Sequence, residues 1–267
     1  MSRIQILDGG LGTSLVDKYK VEFDDATPLW STHLLVDGHD TLLSCQRDFV
    51  QAGADVLLTA TYQASIEGFA RTKTREYPHG IPKSAIGHYL SCAVDIALRA
   101  ANGHEHTKVA LSLGPYGACM IPGQEYSGSL HMFAFETIPR VDEIRAVRRA
   151  VAACDITLPF WISCVSPGEV DTLPDGSTIG QAVEAMLDPT VQGPVPWGVG
   201  INCTELHKLP RLVQSLELSI RQKLTQNPTA LIPSLVLYPD SMNGKVYNTT
   251  TGKWELSNAL IKAQSEA

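Results

Sequence analysis

Short, almost continuously apolar runs alternate along the chain with longer stretches whose apolar residues recur every third or fourth position. The runs are Ile4–Leu7, Asp55–Thr59, Lys108–Leu113, Met132–Phe135, Phe160–Cys164, Gly198–Asn202 and Ser234–Tyr238. Apolar side chains on both faces are what a parallel strand needs when it is covered on both sides. The intervening stretches have helical periodicity. Thr41–Ala52 places Leu42, Cys45, Phe49 and Ala52 on one face, with Asp40 as its N-cap. Ser84–Ala101 aligns Ile86, Leu90, Ala93, Ala97 and Ala101, with Gly103 just beyond its end. Val141–Cys154 and Leu209–Leu224 repeat the pattern. Strand then helix, repeated, predicts a parallel sheet with helical crossovers. The 267 residues fit a single (β/α)₈ barrel domain over 1–267, a fold that needs about 250.

Two places break the rhythm. Tyr116–Leu130 must cross between two parallel strands, yet it contains Pro and several Gly and shows no helical period. After Tyr238 come a polar stretch, Asp240–Lys253, which reads as an exposed loop, and one weak helical stretch, Leu256–Ala263. Only seven strands are countable, so the TIM-type barrel is expected to be incomplete, with the last βα unit missing. The open edge this leaves predicts self-association.

Composition narrows the function classes. A net charge of −7 lacks the basic footprint of a nucleic-acid binder and offers nothing to an anionic membrane. No apolar run approaches the ~20 residues of a membrane span, and the N-terminus has no signal-peptide core. The six cysteines show no paired spacing, so a reducing, cytoplasmic setting is expected. None of the histidines has a partner at metal-binding spacing, and all read as structural or surface residues.

The polar motifs at strand ends carry the chemistry. They are Asp8-Gly9-Gly10, Thr61-Tyr62-Gln63-Ala64-Ser65, Gly114-Pro115-Tyr116-Gly117, Glu125-Tyr126-Ser127-Gly128, Glu136-Thr137-Ile138-Pro139, Asn202-Cys203-Thr204 and Tyr238-Pro239. Polar groups after successive buried strands form the active rim of a β/α barrel. In this order the motifs resemble the homocysteine S-methyltransferase family over nearly the whole chain. The closer likeness is to the branch that uses S-methylmethionine or S-adenosylmethionine.

The resemblance implies an enzyme that moves a methyl group from such a sulfonium to homocysteine, giving methionine. It also implies a Zn²⁺ that keeps the acceptor thiol deprotonated. Asp8 and Glu136 would receive the substrate ammonium; the alternative is a pair of carboxylates at helix N-termini. Gly9, Gly10 and Thr61 would present donors to the substrate carboxylate, or serve only as turn residues. Asn202 would orient substrate or bond a neighbouring strand end. Glu125 and Tyr126 would line the donor site, where a carboxylate and an aromatic face favour a sulfonium, or lie in a solvated loop. Trp30 would cover the mouth or pack in the core. Cys203 resembles the family's first zinc ligand.

The chain also departs from the family pattern. It has no cysteine after Cys203, where the family carries an adjacent pair on the last strand, and Asp240 stands where the family usually has Asn. Three explanations follow from the missing pair. The chain is a shortened product of a gene for an active enzyme, or a non-catalytic amino-acid-binding pseudoenzyme, or Cys164 and Cys119 replace the missing thiols.

Overall fold

The computed structural model describes residues 4–24, 27–115, 130–226, 231–240, 245–248 and 253–256. Its elements run α1 (Leu11–Asp17), α2 (Leu34–Asp37), α3 (His39–Gln51), β1 (Val56–Leu58), α4 (Ile66–Arg71) and α5 (Lys83–Ala101). Then follow β2 (Lys108–Leu113), β3 (Met132–Ile138), α6 (Val141–Ala153), β4 (Phe160–Cys164), α7 (Ile179–Leu187), β5 (Gly198–Glu205), α8 (Leu209–Gln226) and β6 (Ser234–Asp240). A separate antiparallel hairpin, β7 (Lys245–Asn248) with β8 (Lys253–Leu256), comes last.

Strands β1 to β6 form one parallel sheet in sequence order. Leu7 adds a parallel bridge to Val56 at the β1 edge. Side chains alternate between two faces, as the period of two requires. One face carries Val56, Ala110, Met132, Ala134, Trp161 and Val236. The other packs Val109, Leu111, Phe133, Phe135, Ile162, Val199 and Ile201 against the apolar stripes of the helices, among them Leu90, Ile144, Val183 and Leu216. The first face is therefore the inner lining of a curled sheet, and the second is the layer between sheet and helices. The result is an incomplete TIM-type barrel. Among the described residues β6 has one strand partner, β5.

Several expectations need correction. Ile4–Leu7 is not a strand, because only Leu7 pairs, and Ile4 and Ile6 remain 86% and 59% exposed. Gly38, not Asp40, occupies the N-cap of α3, and Asp40 lies in the first turn instead. Asp240–Lys253 is not wholly a loop, since it contains β7 and the first residue of β8. Strand β3 runs on to Ile138 and β5 to Glu205, past the ends of their apolar runs. Helix α7 went unrecognised, although Thr178 and Gln181 form a capping box that its sequence spells out. The crossover at 116–129, including Cys119, and residues 257–263 lie outside the described residues.

Arg148, on α6, organises the return from α7 to β5. It is buried, and all five of its N–H groups are used. Nε donates to Pro194 O, Nη1 to Ala185 O and Asp188 O, and Nη2 to Val191 O and Gly193 O. Gly193 takes a positive φ of 106° beside α6, where a Cβ would stand 2.1 Å from Arg148 O. Replacing Arg148 by Met removes five donated hydrogen bonds, although Asp188 O keeps the Val191 N–H, and should cost more than about 3 kcal/mol in denaturant unfolding. Lys, with three donors and no fork, should recover only part of that loss.

Candidate active site at the barrel mouth

Each inner strand ends on a polar residue after an apolar one. The pairs are Ala110 then Ser112, Ala134 then Glu136, Trp161 then Ser163, Gly200 then Asn202, and Val236 then Tyr238. Alternation thus carries a polar ring to the C-terminal mouth of the sheet.

Glu136 is the centre of that ring and is 4% exposed. Its carboxylate accepts from the Ser112 hydroxyl on β2. Burial pushes its carboxyl up to about 7, with the Ser112 hydrogen bond and the nearby Tyr238 phenol opposing the shift. Asp8 approaches from the opposite edge. Its Oδ2 accepts from Leu58 N at 2.8 Å, while its buried Oδ1 has no hydrogen-bond partner among the described residues. Burial raises its carboxyl well above the usual range, against the Leu58 hydrogen bond, and the neighbouring Glu136 raises it further. Two acids therefore share a desolvated site, and among the described residues no ion pair reaches either of them.

A second cluster joins β3 and β5. Thr137 and Cys203 both adopt left-handed backbone, with φ of 58° and 46°. Each sits where the strand register shifts. Asn202 ties them together. Its Oδ1 accepts from Thr137 N at 2.9 Å, and its Nδ2 donates to Thr137 Oγ1 at 2.7 Å and to Cys203 Sγ at 3.3 Å. Left-handed non-glycine residues cost of order 1 kcal/mol or more each and persist where the surroundings over-determine them. Here the Asn202 amide supplies that constraint. Cys203 faces the open mouth. Desolvation raises its thiol, and the hydrogen bonds from Thr137 and Asn202 pull the other way.

The remaining predicted residues are placed as follows. Thr61 is buried, and its hydroxyl donates to Ser112 O at 2.6 Å and bonds Thr59 Oγ1 at 2.7 Å. Gly9 lies against α3, where a Cβ would come 2.8 Å from Phe49 Cε1. Gly10 precedes α1. Trp30 packs on Phe23, with ring centroids 5.1 Å apart, and on Gly12. Glu125 and Tyr126 lie outside the described residues. The sequence reading gave no role to Ser112, Trp161, Ser163 or Tyr238. A signal was present, because each lies an even number of positions from an inner apolar neighbour or is one itself.

The donor set does not fit a closed thiolate zinc site. The neighbours of Cys203 Sγ are the Thr137 hydroxyl and the Asn202 amide, neither of them an anion. Cys164 follows the inward Ser163, so it turns outward and packs in the sheet–helix layer, 2% exposed. It does not join Cys203. Among the described residues no three His, Cys, Asp or Glu side chains come together as a metal group.

The raised Glu136 carboxyl has a stability consequence. Between its ordinary value of 4.5 and about 7 the native state keeps a proton that the unfolded state has released. Stability therefore falls as pH rises through that window, and the full penalty is present above it. E136Q cannot ionise and escapes the penalty. Its unfolding free energy relative to the wild type should rise by about 2–3 kcal/mol from pH 4.5 to pH 8.5, as read by denaturant titration.

Comparison with known proteins places this site. The homocysteine S-methyltransferase family profile matches residues 5–132 and 125–266. The two matches overlap at residues 125–132. Homocysteine S-methyltransferase 3 of Zea mays is 31% identical over 292 residues, covering 96% of this chain and 78% of that protein. Homocysteine S-methyltransferase 3 of Arabidopsis thaliana is 28% identical, covering 98% and 78%. The crystal structure of the homocysteine methyltransferase MmuM from Escherichia coli, in its metallated form, superposes with a TM-score of 0.65 at 26% identity. That match covers 89% of this chain and 84% of the other. By sequence and by fold, the chain belongs to the homocysteine S-methyltransferase family.

Proposed function

We propose that this protein transfers a methyl group from a sulfonium donor, S-methylmethionine or S-adenosylmethionine, to homocysteine, giving methionine. The observation that carries the reading is the pair of acids at the mouth, Glu136 buried and Asp8 half-buried, the latter with a buried oxygen that lacks a partner among the described residues. A desolvated carboxylate pair calls for a cation, and an amino-acid ammonium supplies one with donors for both acids. Members of the matched family are named for an amino-acid acceptor.

The transfer balances simply. The acceptor thiol loses its proton, its sulfur lone pair forms the new S–CH₃ bond, and the donor sulfonium leaves as a neutral sulfide. No acid is needed for that leaving group. The work of the chain is to hold two small molecules in line and to exclude water. Asp8 and Glu136 hold the ammonium, and the backbone at Gly9 faces the carboxylate. Thr61 supports the rim instead, since its N–H donates to Thr59 O and its hydroxyl to Ser112 O. Asn202 fixes the acceptor side through Thr137 and Cys203. Glu125 and Tyr126 belong to the donor side in this reading. Zn²⁺ would meet Cys203 as a protein ligand, but the described donor set does not complete its coordination, so the transfer is derived from the chain's own residues. The free thiols of Cys45, Cys92, Cys154, Cys164 and Cys203 suit a reducing, cytoplasmic setting. No described helix is long and apolar enough to cross a membrane.

The non-catalytic alternative keeps the amino-acid site and gives up the transfer. Methionine formation from homocysteine and S-methylmethionine, with zinc supplied, separates the two on protein shown to be folded. Turnover is expected, with KM for homocysteine raised at least about tenfold in D8N, since one charge-assisted hydrogen bond is lost. A folded protein without turnover under any donor would contradict the transfer.

A further inference from the structure

We propose that Ser112 is a positioning residue for Glu136. The hydroxyls of Thr59 and Thr61 clamp Ser112, and Ser112 in turn orients the carboxylate that receives the substrate ammonium. The inference rests on the reading of Glu136 as that receiver.

The first support is the way β1 ends. Thr59 N donates to Ala110 O at 3.0 Å, one residue past the strand. A regular parallel ladder would continue from Ser112 N to Thr59 O and from Thr61 N to Ser112 O. The chain turns instead, and Thr61 N donates to Thr59 O at 2.8 Å, which engages both backbone groups with each other. The side chains of the same two residues restore what the turn removed. Ser112 N donates to Thr59 Oγ1 at 3.0 Å, and Thr61 Oγ1 donates to Ser112 O at 2.6 Å. Ser112 is thus gripped at its N–H and its C=O from the β1 side, while its register partner on β3 is Ala134. Its side chain shares the inner face with Ala110 and Ala134 and meets Glu136, two residues further along β3.

The second support is a count of protons. Each hydroxyl has one. Thr61 spends its proton on Ser112 O, so Thr59 is the donor in the 2.7 Å contact between the two threonine hydroxyls. Thr59 then accepts from Ser112 N. The clamp draws nothing from the Ser112 hydroxyl, which donates to Glu136 Oε1. Every proton is used once, and the direction of each bond is fixed. All three residues are buried, and a fully satisfied buried network holds one arrangement. An ionised carboxylate accepts at about four positions, so the Ser112 bond orients it and leaves room for an ammonium.

The titratable groups that interact with Glu136 are Asp8 from the N-terminal segment, Tyr62 after β1, Cys203 on β5 and Tyr238 on β6. The clamp adds none. Its hydrogen bond favours the ionised carboxyl against burial, so losing it favours the protonated form.

The test compares S112A, T59V and T59S with the wild type, each as the full chain. Calorimetry at pH 8 reads the binding of homocysteine and of its deaminated analogue. Carboxyl-carbon NMR, assigned with E136Q, reads the titration midpoint of Glu136. In S112A homocysteine should bind about fivefold to tenfold more weakly, while the analogue changes by less than about twofold. The midpoint should rise by about one pH unit. T59V keeps the shape of threonine but leaves Ser112 N without its acceptor, so both readouts should move the same way by less. T59S keeps the hydroxyl and should stay within about twofold of the wild type. A folded S112A that keeps its homocysteine affinity, weakens for both ligands equally, or leaves the midpoint unmoved overturns the proposal. T59V and T59S that behave alike overturn the clamp; if T59V does not fold, T61V reads the clamp from its other hydroxyl. Should the wild type bind no homocysteine while the midpoint still rises in S112A and T59V, the ammonium reading fails and the positioning of Glu136 stands.

Discussion

The site depends on the curl of one parallel sheet. Glu136 lies on β3, and the groups that reach it come from both edges. Tyr238 is on β6, three strands away, and Asp8 follows Leu7, three strands away on the other side. In a flat sheet three strand intervals span about 14 Å, too far for any hydrogen bond. The electrostatic effects of Tyr238 on Glu136 and of Glu136 on Asp8 exist because the sheet bends until its edges face its middle. Glycine at the inner positions of β5 is part of that geometry, since bulk there would force β6 outward.

Concentrating acids inside the curl has an electrostatic consequence. Burial disfavours the charged form of both carboxyls, and Glu136 further disfavours that of Asp8, so the site holds protons that water would have taken. A bound ammonium reverses the balance, because it is the charge the pair lacks. Specificity then follows from what remains unpaired without it. The same economy appears in the latch of Asn202, Thr137 and Cys203. There one amide side chain holds two left-handed residues at facing register shifts and sets where the sulfur points. Away from the mouth, the fully used guanidinium of Arg148 and the buried Lys208 ammonium do comparable work for loops. Lys208 donates to Ser166 O at 2.7 Å and to Gly168 O at 2.8 Å.

Much of this was legible in the sequence. The apolar runs marked β2 and β4 to the residue, because burial on both faces leaves a continuous signal there. Strands β3 and β5 run further than their apolar runs, since Glu136, Thr137 and Cys203 interrupt hydrophobicity while the backbone stays extended or bulged. Asp8, Glu136 and Asn202 stood out as polar groups after such runs. Ser112 and Ser163 did not, because a lone serine within an apolar strand gives no sign of which face it takes until a neighbour's face is known. Tyr238 was visible only as part of a motif. Its contacts with Trp161 and Ser163 depend on the glycines of β5 and on the curl, and both are properties of three strands together. The outward turn of Cys164 follows from the same alternation once Ser163 is placed inward.

The account claims that the Asp8–Glu136 pair is a receptor for the substrate ammonium. The most direct measurement is calorimetric binding of homocysteine beside its deaminated analogue, which keeps the thiol and the carboxylate, near pH 7.5 on the unmodified chain. The account predicts that homocysteine binds and that the analogue binds at least about a hundredfold more weakly, as expected when a buried charged group loses its partner. Equal affinity for the two would contradict it.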